Sequence, residues 1–159
     1  MPPTFKPTPG AQGFQQSNPC ILAIAALAGS LQIFKEVGMM PVLRERSLLL
    51  TGHLDKLLRS SKYFVPPAEA ARNVRQEPGF TILTPEDPES RGAQLSLLFL
   101  PNGAGHMQKV FKYLVEHGVI GDERNPDVIR LAPAPLYNTI TDCEAAAKFI
   151  DEGLASLSQ

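Results

Sequence analysis

The segment Gln94-Leu-Ser-Leu-Leu-Phe-Leu100 has the composition of a buried β-strand, and it decides the fold class of this chain. A similar run, Phe80-Thr-Ile-Leu-Thr84, precedes it across a loop that is rich in Pro and Glu. Short apolar runs bounded by turn residues are typical of strands, and we expect these two to pair antiparallel. Shorter strands are predicted at Val119–Gly121 and Val128–Ala132.

Segments with helical periodicity precede and follow these strands in the sequence. One helix is predicted over Cys20–Lys35 and ends at Gly38, and a second begins at Pro41. In the second helix the leucines recur at near-helical spacing, and the charged residues are expected to face solvent: Arg44, Glu45, Arg46, Asp55 and Lys56. A short helical turn is predicted near residues 68–72.

Two further helices follow the second strand. The first has one apolar face and stops at Gly118, where a glycine can take the left-handed conformation that ends helices. The last begins with the capping-box pattern Thr141-Asp-Cys-Glu144. Its apolar face includes Ala146, Phe149, Ile150 and Leu157.

The order of these elements predicts an α+β fold, with a small, mostly antiparallel sheet and helices against one face. Residues 1–16 contain four prolines and no periodic apolar pattern, so we predict an extended connector there. Residues 17–159 are predicted to form a single small domain, which is long enough to bury a core.

The predicted helix from Cys20 is apolar on every face, because Ile21-Leu-Ala-Ile-Ala-Ala-Leu-Ala-Gly29 leaves no polar stripe. A helix of this kind needs packing partners all round. We expect the protein upstream to be too short to supply them, which indicates a missing preceding segment.

Composition and charge exclude several classes of partner. Fifteen Lys and Arg balance sixteen Asp and Glu, so the net charge of −1 offers no basic field for nucleic acid or an anionic membrane. Cys20 and Cys143 lie far apart without metal-ligand spacing, and a reduced cytoplasmic setting is expected. The first residues lack the apolar stretch of a signal peptide. We predict neither a metal site nor a membrane span.

Arg130 is the most notable candidate for ligand binding. It lies inside the otherwise uncharged run Val128-Ile-Arg-Leu-Ala-Pro-Ala-Pro-Leu-Tyr137. A guanidinium that is buried there needs an anionic partner, and a carboxylate matches its two-pronged hydrogen-bonding geometry. The alternative is a strand that alternates, with Arg130 pointing to water. The pattern alone leaves both open.

Asn18 has two interpretations as well. As an N-cap its side chain satisfies a free helix N–H group. Alternatively, an Asn at the positive end of a helix contacts a phosphate or a ligand hydroxyl.

No other set of residues indicates a stand-alone catalytic site. The loop Asn102-Gly-Ala-Gly-His106 resembles a phosphate cradle only faintly and is interpreted as a turn. The charges from Asp122 to Asp127 are interpreted as surface ion pairs. The three histidines share no spacing with a nucleophile or with other metal ligands, so no catalytic residue is predicted.

Four ordered motifs resemble the carboxy-terminal region of the kynureninase family: Gly13-Phe-Gln-Gln-Ser-Asn-Pro19, Arg91-Gly-Ala-Gln-Leu95, Gly118-Val-Ile-Gly-Asp122, and Arg124-Asn-Pro126 continued by Ile129-Arg-Leu-Ala-Pro-Ala-Pro-Leu-Tyr-Asn138. The resemblance covers nearly the whole chain. It implies the small domain, with its connecting helix, of a fold type I enzyme that uses pyridoxal phosphate. The family hydrolyses L-kynurenine or 3-hydroxykynurenine to anthranilate or 3-hydroxyanthranilate and L-alanine, in tryptophan breakdown and NAD biosynthesis, and is homodimeric.

The resemblance also implies roles for single residues. Arg130 matches the arginine that grips the substrate carboxylate, and Asn18 matches an asparagine of the cofactor and substrate pocket. The lysine that forms a Schiff base with the cofactor belongs to a large domain that precedes this region in the family. None of the seven lysines of this chain lies in that lysine motif, so the chain alone is expected to be inactive.

Three hypotheses follow. The first is an enzyme portion that acts with a large domain supplied elsewhere, as expected of a truncated product, a partial gene or an excised domain. The second is a non-catalytic α+β module that binds a small carboxylate ligand or a partner protein through its apolar helix. The third is a degenerate remnant that folds poorly.

Overall fold

The structure is a computed structural model that describes residue 4, residues 6–72 and residues 77–158. Its contacts divide the chain into two compact units, residues 1–40 and residues 41–159. The predicted boundary between residues 16 and 17 stays a prediction. Residues 1–3 and 5 of the predicted connector lie outside the described residues, and a 3-10 turn covers Ala11–Phe14.

The first unit contains helix α1, Ile21–Glu36, which begins one residue later than predicted. None of its residues is buried, and the exposed fraction of Leu22 is 80%. Large apolar side chains of this helix are therefore accessible. Taken singly, no helix of the described segments is long and apolar enough to cross a membrane; Ile21–Glu36 and Met39–Arg59 meet the measures of length and composition only as a bent pair.

The second unit is built on a four-stranded antiparallel sheet, so the predicted α+β class is confirmed. The strands are β1 (Gly79–Ile82), β2 (Leu95–Leu100), β3 (Asp122–Arg124) and β4 (Val128–Leu131), in the order β1-β2-β4-β3. The predicted antiparallel pairing of the first two strands is confirmed, with Phe80 opposite Phe99.

Helices α2 (Met39–Ser60), α4 (His106–Glu116) and α5 (Ile140–Ala155) pack together with the sheet, and the short α3 covers Pro67–Ala70. Alternate strand residues share one buried cluster with apolar residues at three- and four-residue spacing on the helices. From the strands this cluster takes Phe80, Ile82, Leu95, Leu97, Phe99, Ile129 and Leu131; from the helices it takes Leu50, Leu54, Leu58, Met107, Val110, Leu114, Cys143, Ala146, Ile150 and Leu154.

The third strand lies later than predicted, at Asp122–Arg124 instead of Val119–Gly121. The reason is the end of α4: Gly118 has φ 79°, and the Val119 N–H donates to the Leu114 carbonyl at 2.9 Å, which is the long-range bond of a Schellman motif. Val119 thereby packs on the core as part of the helix end. The charged segment that follows forms the sheet edge, where charges prevent pairing with other chains.

The capping box of α5 also lies two residues earlier than predicted. Thr139 is extended and accepts from the Asp142 N–H, while the Asp142 carboxylate accepts from the Thr139 N–H. The predicted start at Thr141 is wrong because both threonines precede an acidic residue by three positions, and Asn138 donates to Asp142 and supports the earlier box.

The Thr139→Ala variant should lower the free energy of unfolding by about 1 kcal/mol, because it removes the side-chain acceptor at the N-cap. Urea unfolding of this chain measures the change. Thr141→Ala is the matched control, since Thr141 is exposed inside the helix, and should stay within about 0.5 kcal/mol of the native chain. Equal losses in both variants would contradict the assigned box.

The same box should make the helix start sensitive to acid. The backbone N–H of Thr139, and after it the Asn138 amide, hold the pKa of Asp142 below its usual range. A lowered folded-state pKa stabilises the fold fully above the unfolded-state pKa, and this stabilisation is lost as the pH falls through the folded-state pKa. Asp142→Asn should therefore reduce the loss of stability in that acidic window.

Candidate functional site

Arg130 lies on the sheet face that is opposite the helices. Its strand neighbours Ile129 and Leu131 belong to the buried core, and side chains alternate between the two faces of a strand. Arg130 is therefore directed away from α2, α4 and α5. Across the sheet it is in register with Ser96 of β2 on one side and Asp122 of β3 on the other.

The guanidinium of Arg130 is paired and partly accessible. Its Nη2 donates to the Asp122 carboxylate, whose Oδ2 also lies 2.9 Å from Nη2 of Arg124. The side chain of Arg130 is 31% exposed, whereas its Nε is buried and has no hydrogen-bond partner in the described part of the chain. Of the two interpretations, neither full burial nor free exposure is observed. Its predicted role in binding a substrate carboxylate stays a prediction.

Asn18 lies in the first unit, ahead of α1. The N-cap of α1 is Cys20, which is still extended at φ −68°, ψ 113°, and its side chain makes no cap bond. The interpretation of Asn18 as an N-cap is therefore wrong. Asn18 is exposed, and its side chain makes no hydrogen bond to the residues that the structure describes. Its predicted place in a cofactor and substrate pocket stays a prediction.

The loop before α4 is a turn, and the carboxylate of Asp127 accepts a hydrogen bond from its backbone. The buried Asp127 accepts from the Gly103 N–H at 2.9 Å, and Nδ1 of His106 lies 2.9 Å from the Leu100 carbonyl. A carboxylate that already occupies the backbone N–H of the loop disfavours a phosphate there. The interpretation as a turn is confirmed. The predicted surface pairing holds for Asp122 and Arg124, whereas Asp127 is buried.

A buried ion-pair network attaches the β1–β2 loop to α2. Asp55 was expected to face solvent, but it is buried between Arg59, at 3.0 Å, and Arg91, at 3.3 Å. The side chain of Arg91 is only 4% exposed and also donates to the Pro85 carbonyl. Arg44 donates to the carbonyl of Arg91. Arg91 thus holds the β1–β2 loop against α2.

A cleft of about 360 Å³ opens where α4 ends and α5 begins. His117, Val119, Ile120, Asn138 and Phe149 are among its lining residues, and Arg130 is not. The amide of Asn138 is already used, since its oxygen accepts from the Ala134 N–H at 2.8 Å and its nitrogen donates to Asp142. The cleft is lined by both polar and apolar groups, and no group of His, Cys, Asp and Glu among the described residues could hold a metal ion.

The two thiols should differ strongly in reactivity. Burial raises the pKa of the Cys143 thiol, with smaller contributions from Asp142 and Glu144, and Cys20 is exposed. Since the thiolate is the reactive form, a disulfide reagent at neutral pH should titrate one thiol quickly and the second only after unfolding. Cys20→Ser should abolish the fast phase. A fast phase that persists in this variant would contradict the burial of Cys143.

Comparison with known proteins gives the family. The model of the family described as "Kynureninase C-terminal domain" matches residues 43–150 of this chain. The chain belongs to this family. It is 52% identical over 151 residues to a kynureninase of Yarrowia lipolytica and 47% identical over 156 residues to one of Saccharomyces cerevisiae. These matches cover 94% and 96% of this chain.

The chain spans about a third of the length of these curated relatives, 34% in both cases. A kynureninase of Coccidioides immitis is 52% identical over 142 residues, which are 89% of this chain and 27% of the relative. The resemblance that the four motifs indicated is thus confirmed for the family.

One contact at the site was not anticipated from the sequence, namely that between Asp122 and Arg130. The contact follows from a short hairpin. A tight turn at 125–127 connects Arg124 to Val128, and these two residues are paired across β3 and β4. A hairpin centred there places residue 122 opposite residue 130.

Proposed function

We propose that this chain is the carboxy-terminal part of a kynureninase. The complete enzyme hydrolyses L-kynurenine or 3-hydroxykynurenine to anthranilate or 3-hydroxyanthranilate and L-alanine, within tryptophan breakdown and NAD biosynthesis. The observation that carries the proposal is the similarity of 41–52% to kynureninases over most of this chain. The complete enzyme works as a cytoplasmic homodimer.

In this proposal Arg130 binds the substrate carboxylate. The partly exposed sheet face supports that role, because it leaves 31% of the Arg130 side chain exposed beside Ser96 while the other face is filled by the core. Arginine presents a planar fork that matches a carboxylate with two parallel hydrogen bonds. Asn18 contributes to the pocket of the cofactor and the aromatic end of the substrate.

The cofactor, pyridoxal phosphate, is bound by the large domain of the complete enzyme. In this proposal the lysine that holds the cofactor covalently lies on that domain, and this chain contributes Asn18 to the pocket. All seven lysines are exposed: Lys6, Lys35, Lys56, Lys62, Lys109, Lys112 and Lys148. A lysine that condenses with a carbonyl group must be partly deprotonated at neutral pH, which burial favours and water opposes.

The large domain also accounts for the exposed apolar surface of α1. Ile21, Leu22 and Leu27 are 74%, 80% and 59% exposed, which is unusual for large apolar side chains in one helix. In the complete homodimer we place this helix against the large domain.

A chimera tests the proposal. The segment of the Yarrowia lipolytica kynureninase that matches this chain is replaced by this chain, so that every residue discussed above is present. We expect the chimera to form anthranilate from L-kynurenine and 3-hydroxyanthranilate from 3-hydroxykynurenine, as followed by product fluorescence. A folded chimera with pyridoxal phosphate bound but without either product would reject the proposed function.

The isolated chain supplies the complementary test. Incubation with pyridoxal phosphate and borohydride should leave its lysines unmodified, as seen by peptide mass spectrometry. A stoichiometric adduct on one of the seven lysines would show that this chain holds the cofactor itself, and would overturn the division of roles between the two domains.

The second candidate function is a non-catalytic module that binds a small carboxylate ligand or a partner protein. The exposed face of α1 and the accessible Arg130 favour it. The chimera distinguishes the two, because a module without a catalytic role would not restore hydrolysis.

A further inference from the structure

We propose that Asp122 is a positioning residue for Arg130, holding its guanidinium in the orientation that receives a carboxylate. The inference rests on the proposed function for the role of Arg130, and on the contacts of β3 and β4 for the role of Asp122. The family match assigns no role to Asp122.

Asp122 reaches Arg130 through the sheet. The two residues are Cα partners in the antiparallel pair of β3 and β4, so their side chains project from the same face as direct neighbours. Nη2 of Arg130 donates to Oδ2 of Asp122. A long arginine side chain at a half-exposed site otherwise samples many rotamers, and this bond restricts them.

Asp122 is itself held in place from the sheet edge. Nη2 of Arg124, two residues along β3, lies 2.9 Å from the same Oδ2. The side chains of Asp122 and Arg124 are 46% and 59% exposed, so the pair contributes little to stability. The same Oδ2 of Asp122 contacts the guanidinium groups of Arg124 and Arg130. The effect of this shared contact is therefore to orient Arg130.

The arrangement leaves part of the guanidinium free for a ligand. Nη2 is engaged by Asp122, and Nε is buried without a partner in the described residues, whereas the side chain as a whole is 31% exposed. A ligand carboxylate can approach the exposed part of this side chain. A ligand carboxylate there meets a guanidinium whose rotation is already fixed, and it avoids the entropy cost of ordering the side chain on binding.

Nuclear magnetic resonance of the arginine side chains tests the positioning directly in this chain. In the native chain, the Arg130 Nε–H group should show restricted motion and slow exchange with water. Asp122→Ala should bring both to the values of an exposed arginine such as Arg72, and Asp122→Asn, which keeps an acceptor oxygen, should preserve them. Glu123→Gln is the matched control, because it removes a charge from the same strand and should change nothing. Backbone spectra establish that each variant is folded.

Kinetics of the chimera give the second readout. Asp122→Ala should raise KM for L-kynurenine about fivefold and leave kcat within about twofold, because loss of preorganisation weakens ligand binding. Asp122→Asn and Glu123→Gln should stay within about twofold of the unsubstituted chimera in both constants. An Arg130 signal that stays rigid in Asp122→Ala, or a KM that falls because a competing anion is gone, would overturn the inference. An unsubstituted chimera without activity would instead reject the proposed function, and the resonance measurement would still decide the role of Asp122.

Discussion

Arg130→Ala in the chimera should raise KM for L-kynurenine by about two orders of magnitude, because truncation of one partner of a hydrogen-bonded charge pair costs about 2–5 kcal/mol. The effect should be mainly on KM, since the substrate carboxylate is bound equally before and during the reaction. Arg130→Lys should lie between, at about tenfold, because a lysine keeps the charge and loses the two-pronged geometry.

Arg72→Ala is the control for this series, since Arg72 is an exposed arginine in a turn outside the sheet. Steady-state rates over a range of substrate concentrations give kcat and KM for each variant. If Arg130→Ala responds to substrate concentration as the unsubstituted chimera does, Arg130 does not bind the carboxylate. If kcat alone falls, its role lies in the chemical step.

Asp55→Ala should lower the free energy of unfolding of this chain by about 3 kcal/mol, the second largest effect that we expect. The substitution leaves the guanidinium of Arg91 buried without its carboxylate, because the Arg91 side chain is 4% exposed and 3.3 Å from Asp55. Breaking a buried pair in this way costs more than the pair contributes, since the remaining charge stays desolvated.

Glu45→Ala on the same helix provides the matched control. Glu45 is exposed, and removing it should change the free energy of unfolding by no more than about 0.5 kcal/mol. Urea unfolding followed by circular dichroism measures both variants. Equal and small effects would mean that the loop from Thr84 to Gln94 is not held by Asp55.

The sheet and its helices could be predicted because local and long-range preferences agree. Leu97 and Phe99 alternate with half-buried residues, and the helices of the second unit repeat apolar residues at three and four positions. The two-residue period of the strand and the three- to four-residue period of the helices are both present in the structure, because each apolar face packs against the same core.

The sequence predictions were wrong where tertiary contacts determine the burial or the conformation of a residue. Asp55 follows the polar pattern of an exposed helix position, yet its partner Arg91 comes from a loop 36 positions later, which periodicity cannot show. Val119 has the character of a strand residue, but the helix end that Gly118 forms directs it to the core. Two overlapping capping-box patterns left the start of α5 ambiguous until the bonds of Thr139 were seen.

The candidate site was predicted only in part for a similar reason. The charged residue inside an apolar run identified Arg130, but its pairing with Asp122 depends on the register of β3 and β4. This chain spans 34% of the length of the Yarrowia lipolytica kynureninase, and no pattern within these 159 residues describes the rest of that protein.

The rate of L-kynurenine hydrolysis by the chimera tests the central claim most directly. If this chain is a kynureninase carboxy-terminal part, kcat/KM should lie within about tenfold of the Yarrowia lipolytica enzyme, because roughly half of the exchanged residues are identical and volume-conserving changes are tolerated in cores. A folded chimera that hydrolyses neither kynurenine, in an assay in which the Yarrowia lipolytica enzyme hydrolyses L-kynurenine, would contradict it.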